Sequence, residues 1–304
     1  MRARSVLLFL VILLILVVTS QAKTSIPLET RGPQDLITIK IGGIAVPDIL
    51  LDTGFAYDGV IIYNTGYLDS LDLSHAVEVQ IPGAGSGEPS KGVMIDPGSF
   101  MVGDIELTNQ KIVVLRSDTF KGFPSNGVIG YSVFGHYVTE IDRDLGVINL
   151  YPPGDAPIDT TWTAIPMYFK NNETPWVDVS VVIQDEPSTT LATYIDFAAR
   201  DVIVLLERPE MKIRLPDDTV SVYIGRGLSG DVYGKAGTIS KLIIGPYELT
   251  KVKASIADEK VRERRPGADA VLGCGAFTGF NIVFDYSYGK LYLKPNSRFG
   301  EPLD

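Results

Sequence analysis

The feature that most constrains this chain is that it repeats itself at a spacing of about 143 residues. Asn126-Gly-Val-Ile-Gly-Tyr-Ser-Val-Phe134 lies over Asp269-Ala-Val-Leu-Gly-Cys-Gly-Ala-Phe277, and the match runs on without a gap, placing Asp142, Gly146 and Leu150 on Asp285, Gly289 and Leu293. Upstream, Gly103-Asp-Ile-Glu-Leu-Thr108 falls on Gly245-Pro-Tyr-Glu-Leu-Thr250 at offset 142, and Ile49-Leu-Leu-Asp52 on Thr193-Tyr-Ile-Asp196 at offset 144. A period of this size is far too long for a solenoid, whose units run to about 20–50 residues. In 304 residues it fits one lobe used twice, with a linker at about Pro152 to Trp162, where Pro, Gly and Asp cluster. The boundaries are then 23–155 for the first lobe and 156–304 for the second.

Each half reads as β-structure. Leu36-Ile-Thr-Ile-Lys-Ile41, Val77-Glu-Val-Gln-Ile81, Lys111-Ile-Val-Val-Leu115, Val177-Asp-Val-Ser-Val-Val-Ile183 and Lys290-Leu-Tyr-Leu293 are short runs rich in β-branched residues, several alternating with period two as half-buried strands do. The 30 Gly and 19 Pro punctuate them as turns. No long amphipathic helix is visible; Tyr67 to Ala76 predicts a short helix and Ser132 to Tyr137 a turn or two. The fold class is therefore all-β.

Residues 1–22 read as a signal peptide. Arg2 and Arg4 precede an apolar run from Val6 to Val18, shorter than the roughly 20 residues that span a bilayer. Ser20 and Ala22 then occupy the −3 and −1 positions of a cleavage site. The expected location is secreted or periplasmic, with no stable membrane span once the signal is cleaved; the alternative is a chain anchored by an uncleaved signal. Composition removes several chemistries. A net charge of −10 argues against nucleic acid as a partner. The single Cys274 allows no intrachain disulfide, and with His75 and His136 it is too little for a zinc site, so neither metal nor cofactor is expected. Carboxylates remain as the plentiful reactive groups.

Two of those carboxylates occupy matching places. Leu50-Leu51-Asp52-Thr53-Gly54 is followed, after about 77 residues, by Val128-Ile129-Gly130; Tyr194-Ile195-Asp196-Phe197-Ala198 is followed at the same interval by Val271-Leu272-Gly273. This arrangement resembles the two-lobed pepsin-like and retropepsin-like aspartic peptidases, whose signature is Asp-Thr/Ser-Gly after an apolar strand and a later apolar-apolar-Gly strand behind it. The resemblance covers nearly all of residues 35–295. It implies two lobes of closed-barrel type with the active-site cleft between them, and Asp52 and Asp196 as the catalytic pair. It further implies a monomer acting on a polypeptide substrate, with Thr53 hydrogen-bonding the opposite loop across the interface and a flap closing over the substrate. The Gly-rich tip Gly83-Ala84-Gly85-Ser86-Gly87, between Val77 and Ile95, is the flap candidate; a plain surface hairpin is the alternative. Tyr223 to Gly234 is the matching Gly-rich segment of the second half.

The second motif departs from the pattern. Phe197 stands where a hydroxyl residue is expected, and Ala198 where a glycine is expected, so a turn requiring positive φ would be strained there by roughly 1 kcal/mol or more. The carboxylate is kept. The expected activity is that of an exported aspartic endopeptidase; the alternative is a weak or inactive pseudopeptidase that binds a peptide or cell-envelope ligand in the same cleft. His136 reads as structural or exposed, Cys274 as a buried small apolar side chain, Arg262 to Arg265 as a solvated charge cluster, and Asn172-Glu-Thr174 as a glycosylation sequon, which carries no weight if the source is bacterial.

Overall fold

A computed structural model of the chain describes residues 23–85, 87–170, 174–184, 186–206, 219–257 and 266–303. The signal segment, Ser86 at the hairpin tip, most of the sequon and the Arg262 to Arg265 cluster lie outside the described residues.

The fold is all-β and two-lobed, built on three sheets. In the first half, eight strands lie in the spatial order Glu29–Arg31, Gln34–Ile41, Ile44–Leu51, Gly127–Ile129, Gly59–Ile62, Ile105–Leu115, Ser90–Val102, Val77–Ile81. In the second half the order is Tyr168–Lys170, Thr174–Val182, Thr189–Asp196, Ala270–Gly273, Ile203–Leu205, Tyr247–Ala257, Gly230–Ile244, Val220–Gly227. Each place in one order has a counterpart in the other. The strand ending at Asp52 runs parallel to Gly127–Ile129, with Leu51 beside Ile129; the strand ending at Asp196 runs parallel to Ala270–Gly273, with Ile195 beside Leu272. These central strands are covered on both faces. That explains their continuous apolar runs, in place of the alternation seen nearer the edges.

A third, six-stranded sheet joins the halves, in the order Thr24–Pro27, Val147–Tyr151, Val138–Asp142, Phe280–Asp285, Lys290–Pro295, Thr163–Pro166. The two halves meet in its middle, where Thr139 pairs with Phe284. One buried cluster runs through both lobes, with Phe134 of the first half edge-on to Phe284 of the second at 5.1 Å. Residues 152–162 carry no regular structure, and Ala156, Ile158 and Trp162 pack onto Val138, Tyr151 and Val283. The dozen residues before Asp35 are built into the body as two strands.

The predicted helix over Tyr67 to Ala76 is corrected. Only Thr65–Leu68 forms a short 3-10 turn, capped by Asn64 Oδ1 accepting from Gly66 N at 2.9 Å. Beyond it the small polar side chains bind their own backbone, as when Ser74 N donates to Asp72 Oδ1 at 3.1 Å, which competes with helix propagation. The second predicted helix is the single turn Tyr131–Phe134.

Candidate active site

The two Asp-bearing loops leave adjacent strand ends and face each other across the lobe boundary. Asp52 Oδ1 accepts from Gly54 N at 2.6 Å. Asp196 Oδ1 accepts from Ala198 N and Ala199 N, both at 3.2 Å. Each carboxyl is thus aimed by amides of its own loop, and both side chains are half-buried. They converge on Gly54: a Cβ placed there would stand 2.8 Å from Asp52 Oδ1 and 3.5 Å from Asp196 Cγ. The carboxyl groups are therefore no further apart than the sum of those two distances. The buried phenol of Tyr63 senses both: desolvation first, then the charges of Asp52 and Asp196, push its pKa well above the usual tyrosine value.

Gly54 owes its identity to space. Its φ is not positive, and a side chain there would meet Tyr194 Oη at 2.4 Å as well as the Asp52 carboxylate. The same finding corrects the strain expected at Ala198, which is not among the positive-φ residues, so alanine sits in this loop without a left-handed backbone. Behind each loop the glycine of the second motif is required for close approach. A Cβ on Gly130 would lie 2.2 Å from Asp52 O and 2.3 Å from Phe55 O; one on Gly273 would lie 2.2 Å from Asp201 O.

Thr53 spans the boundary. Its hydroxyl is buried, donates to Ile195 O at 2.8 Å and accepts from Phe197 N at 3.0 Å, gripping the opposite loop on both sides of Asp196. Phe197 gives no such bond in return. Its ring is fully buried, 5.5 Å from Phe284 and 5.9 Å from Phe277. Replacing Thr53 by Val keeps the shape but leaves a buried amide and carbonyl without their partner; we expect a loss of about 2–4 kcal/mol in urea unfolding, with Thr53→Ser within about 1 kcal/mol of the parent.

Two hairpins cover this region. Val77–Ile81 pairs with Ser90–Val102, and Val220–Gly227 with Gly230–Ile244. Their tips are bonded to each other: Gly83 N donates to Ser229 Oγ (3.2 Å), Ser229 N to Ala84 O (2.8 Å) and Gly87 N to Ser229 O (2.6 Å). Ser90 Oγ donates to Leu228 O at 2.6 Å, and Arg226 reaches Thr119 O at 2.8 Å. The tip glycines make this contact possible: Gly85 has φ +110°, and a Cβ on Gly227 would sit 2.4 Å from Ala84 O. Leu228 packs on an apolar cluster of the first half that includes Ile61, Tyr63, Val113 and Phe120, with Tyr63 stacked on Phe120 at 4.1 Å. The matching cluster of the second half holds Trp176, Tyr194, Val204 and Val271, under Ile224 of the second hairpin.

His136 is exposed and pairs with Asp58 at 2.6 Å, and Cys274 is a buried free thiol whose pKa is raised by burial. Tyr63, Tyr194 and the tip-to-tip contact escaped the sequence reading. The repeat held a signal for the tyrosines, because Tyr63 falls on Leu206 and Tyr194 on Leu50, both departures from an otherwise apolar correspondence. No protein-family model matches the chain, and no curated protein matches it.

Proposed function

We propose that this protein is an exported aspartic endopeptidase of the pepsin-like or retropepsin-like kind, formed by duplication of one lobe, which hydrolyses extended polypeptide with a water activated between Asp52 and Asp196. The observation that carries the reading is the convergence of the two carboxyls at Gly54, each aimed by amides of its own loop. In this mechanism one carboxyl takes a proton from the water while the other gives one to the amide carbonyl. No covalent intermediate is needed. The clusters around Tyr63 and Tyr194 would receive apolar substrate side chains on either side of the scissile bond, and the hairpins would part to admit the chain and close to exclude water.

The missing half of the cross-lobe grip, at Phe197, favours one other reading: a binder that holds a chain in the cleft without cutting it. Digestion of a peptide library between pH 3 and 7 separates the two. Cleavage inside peptides, lost in Asp52→Asn, is expected. Binding without cleavage at any pH, or full cleavage by Asp52→Asn, overturns the peptidase.

A further inference from the structure

The loop that carries Asp196 lacks its own hydroxyl, yet it is held from beneath by a buried polar group that comes entirely from the first half. Gln34, 4% exposed, donates through Nε2 to Ala198 O at 2.8 Å. Its neighbour Asp35 is fully buried and bound by Arg143, with Nη2 to Oδ2 at 2.6 Å and Nε to Oδ1 at 3.3 Å. Arg143 is itself almost wholly buried; it donates to Phe277 O and, at 3.5 Å, to Pro33 O. Its guanidinium carbon lies 5.7 Å from the centre of the Phe197 ring, within cation–π range.

The position of Arg143 is a second departure from the repeat. Its counterpart is Tyr286, which packs on Phe134 and Phe169 and belongs to an aromatic cluster. A charge at this depth is costly unless it is hydrogen-bonded and a counter-ion is in contact; Arg143 directs its donors to Asp35, Phe277 O and Pro33 O, and it meets the second loop through the ring of Phe197. Where the second half has Phe in place of a hydroxyl residue, the first half has a cation against the Phe ring and an amide on the next carbonyl.

We propose that Gln34, Asp35 and Arg143 form a brace that positions Asp196, replacing the grip that Phe197 cannot make. These are positioning residues: they act on Asp196 through Phe197 and Ala198. The proposal rests on the peptidase reading for its consequence in catalysis, though not for its consequence in the loop. A merely structural ion pair would stabilise the lobes evenly. A brace holds one loop, so its removal frees Phe197, Ala198 and Ala199 ahead of the rest.

The test is residue-resolved amide hydrogen exchange on the full mature chain, with peptide hydrolysis measured in parallel. Asp35→Leu with Arg143→Met replaces the ion pair by apolar groups of similar size, so that no lone charge is left buried. Gln34→Leu removes one bond and is the milder variant. Expected are exchange rates at Phe197, Ala198 and Ala199 raised about tenfold or more in the double variant and about threefold in Gln34→Leu, with the amides of Gly54 and Phe55 unchanged. In hydrolysis, kcat is expected to fall about tenfold or more while KM holds within about twofold. Uniform acceleration across both lobes, or none at the Asp196 loop in either variant, overturns the brace. A parent without hydrolysis overturns the peptidase reading and leaves the exchange experiment to decide the brace by itself.

Discussion

Asp196→Asn is expected to lower peptide hydrolysis by at least about a thousandfold, with a melting temperature within a few degrees of the parent. The chemistry needs one carboxyl to accept a proton and the other to give one, and an amide does neither at the pH of the reaction. The fold does not need the charge. Asp196 is half-buried and accepts from the amides of Ala198 and Ala199, and the amide oxygen of an asparagine can take over those bonds. Because Asp52 and Asp196 act as one unit, the double variant is expected to lose little more than either single one, as happens for groups that work together. A fluorogenic peptide substrate and a thermal melt check both halves of this expectation. Asp196→Asn with ordinary activity would mean that Asp52 works without its counterpart, and the two-carboxyl mechanism would fall.

How far the chain disclosed itself beforehand differs from element to element. The β class and the two-lobed plan were legible because they depend on local alternation and on a long-range repeat, both properties of residue type. The placement of Asp52 and Asp196 followed from the same repeat, since equal strand ends fold to equal places. What the letters hid was direction and contact. Gly54 and Gly130 look alike in the sequence as glycines beside turns. The structure separates them from Gly42, whose φ is +56° in open space, because at Gly54 and Gly130 φ is not positive and it is the room for a Cβ that is missing. The alternation through Gln34 and Asp35 gave no sign that two polar residues at the start of a strand are buried, because their partners, Ala198 O for Gln34 and Arg143 for Asp35, lie more than a hundred residues away. The helix expected over Tyr67 to Ala76 failed because Ser70, Asp72 and Ser74 make local hydrogen bonds that compete with a helical ladder. The meeting of the two hairpin tips depends on the rotation of one lobe against the other, which no window of sequence encodes.

Gly130→Ala is expected to be among the most damaging single methyl additions, lowering stability by about 4 kcal/mol or more in urea unfolding and leaving little folded protein. The added carbon would stand 2.2 Å from Asp52 O and 2.3 Å from Phe55 O, and both are backbone atoms that no rotamer can move away. Those carbonyls are also fixed from other directions. Tyr131 N donates to Phe55 O at 2.8 Å and Phe55 N to Asp52 O at 3.2 Å, while Asp52 N donates to Ile129 O at 2.9 Å, so the loop and the strand behind it are sewn together on both sides of the glycine. Relieving the clash means breaking that seam, and the seam is what sets the position of the Asp52 carboxyl. Gly273→Ala is expected to behave in the same way against Asp201 O at 2.2 Å and Ala199 O at 2.7 Å. Gly42→Ala is the comparison that isolates the cause: its backbone is left-handed but nothing lies within 4 Å, so its cost is expected to be only about 1 kcal/mol. Were Gly130→Ala to cost no more than Gly42→Ala, the close packing of the second motif against the Asp52 loop would be wrong, and with it the reason why an apolar-apolar-Gly strand accompanies each of the two aspartates.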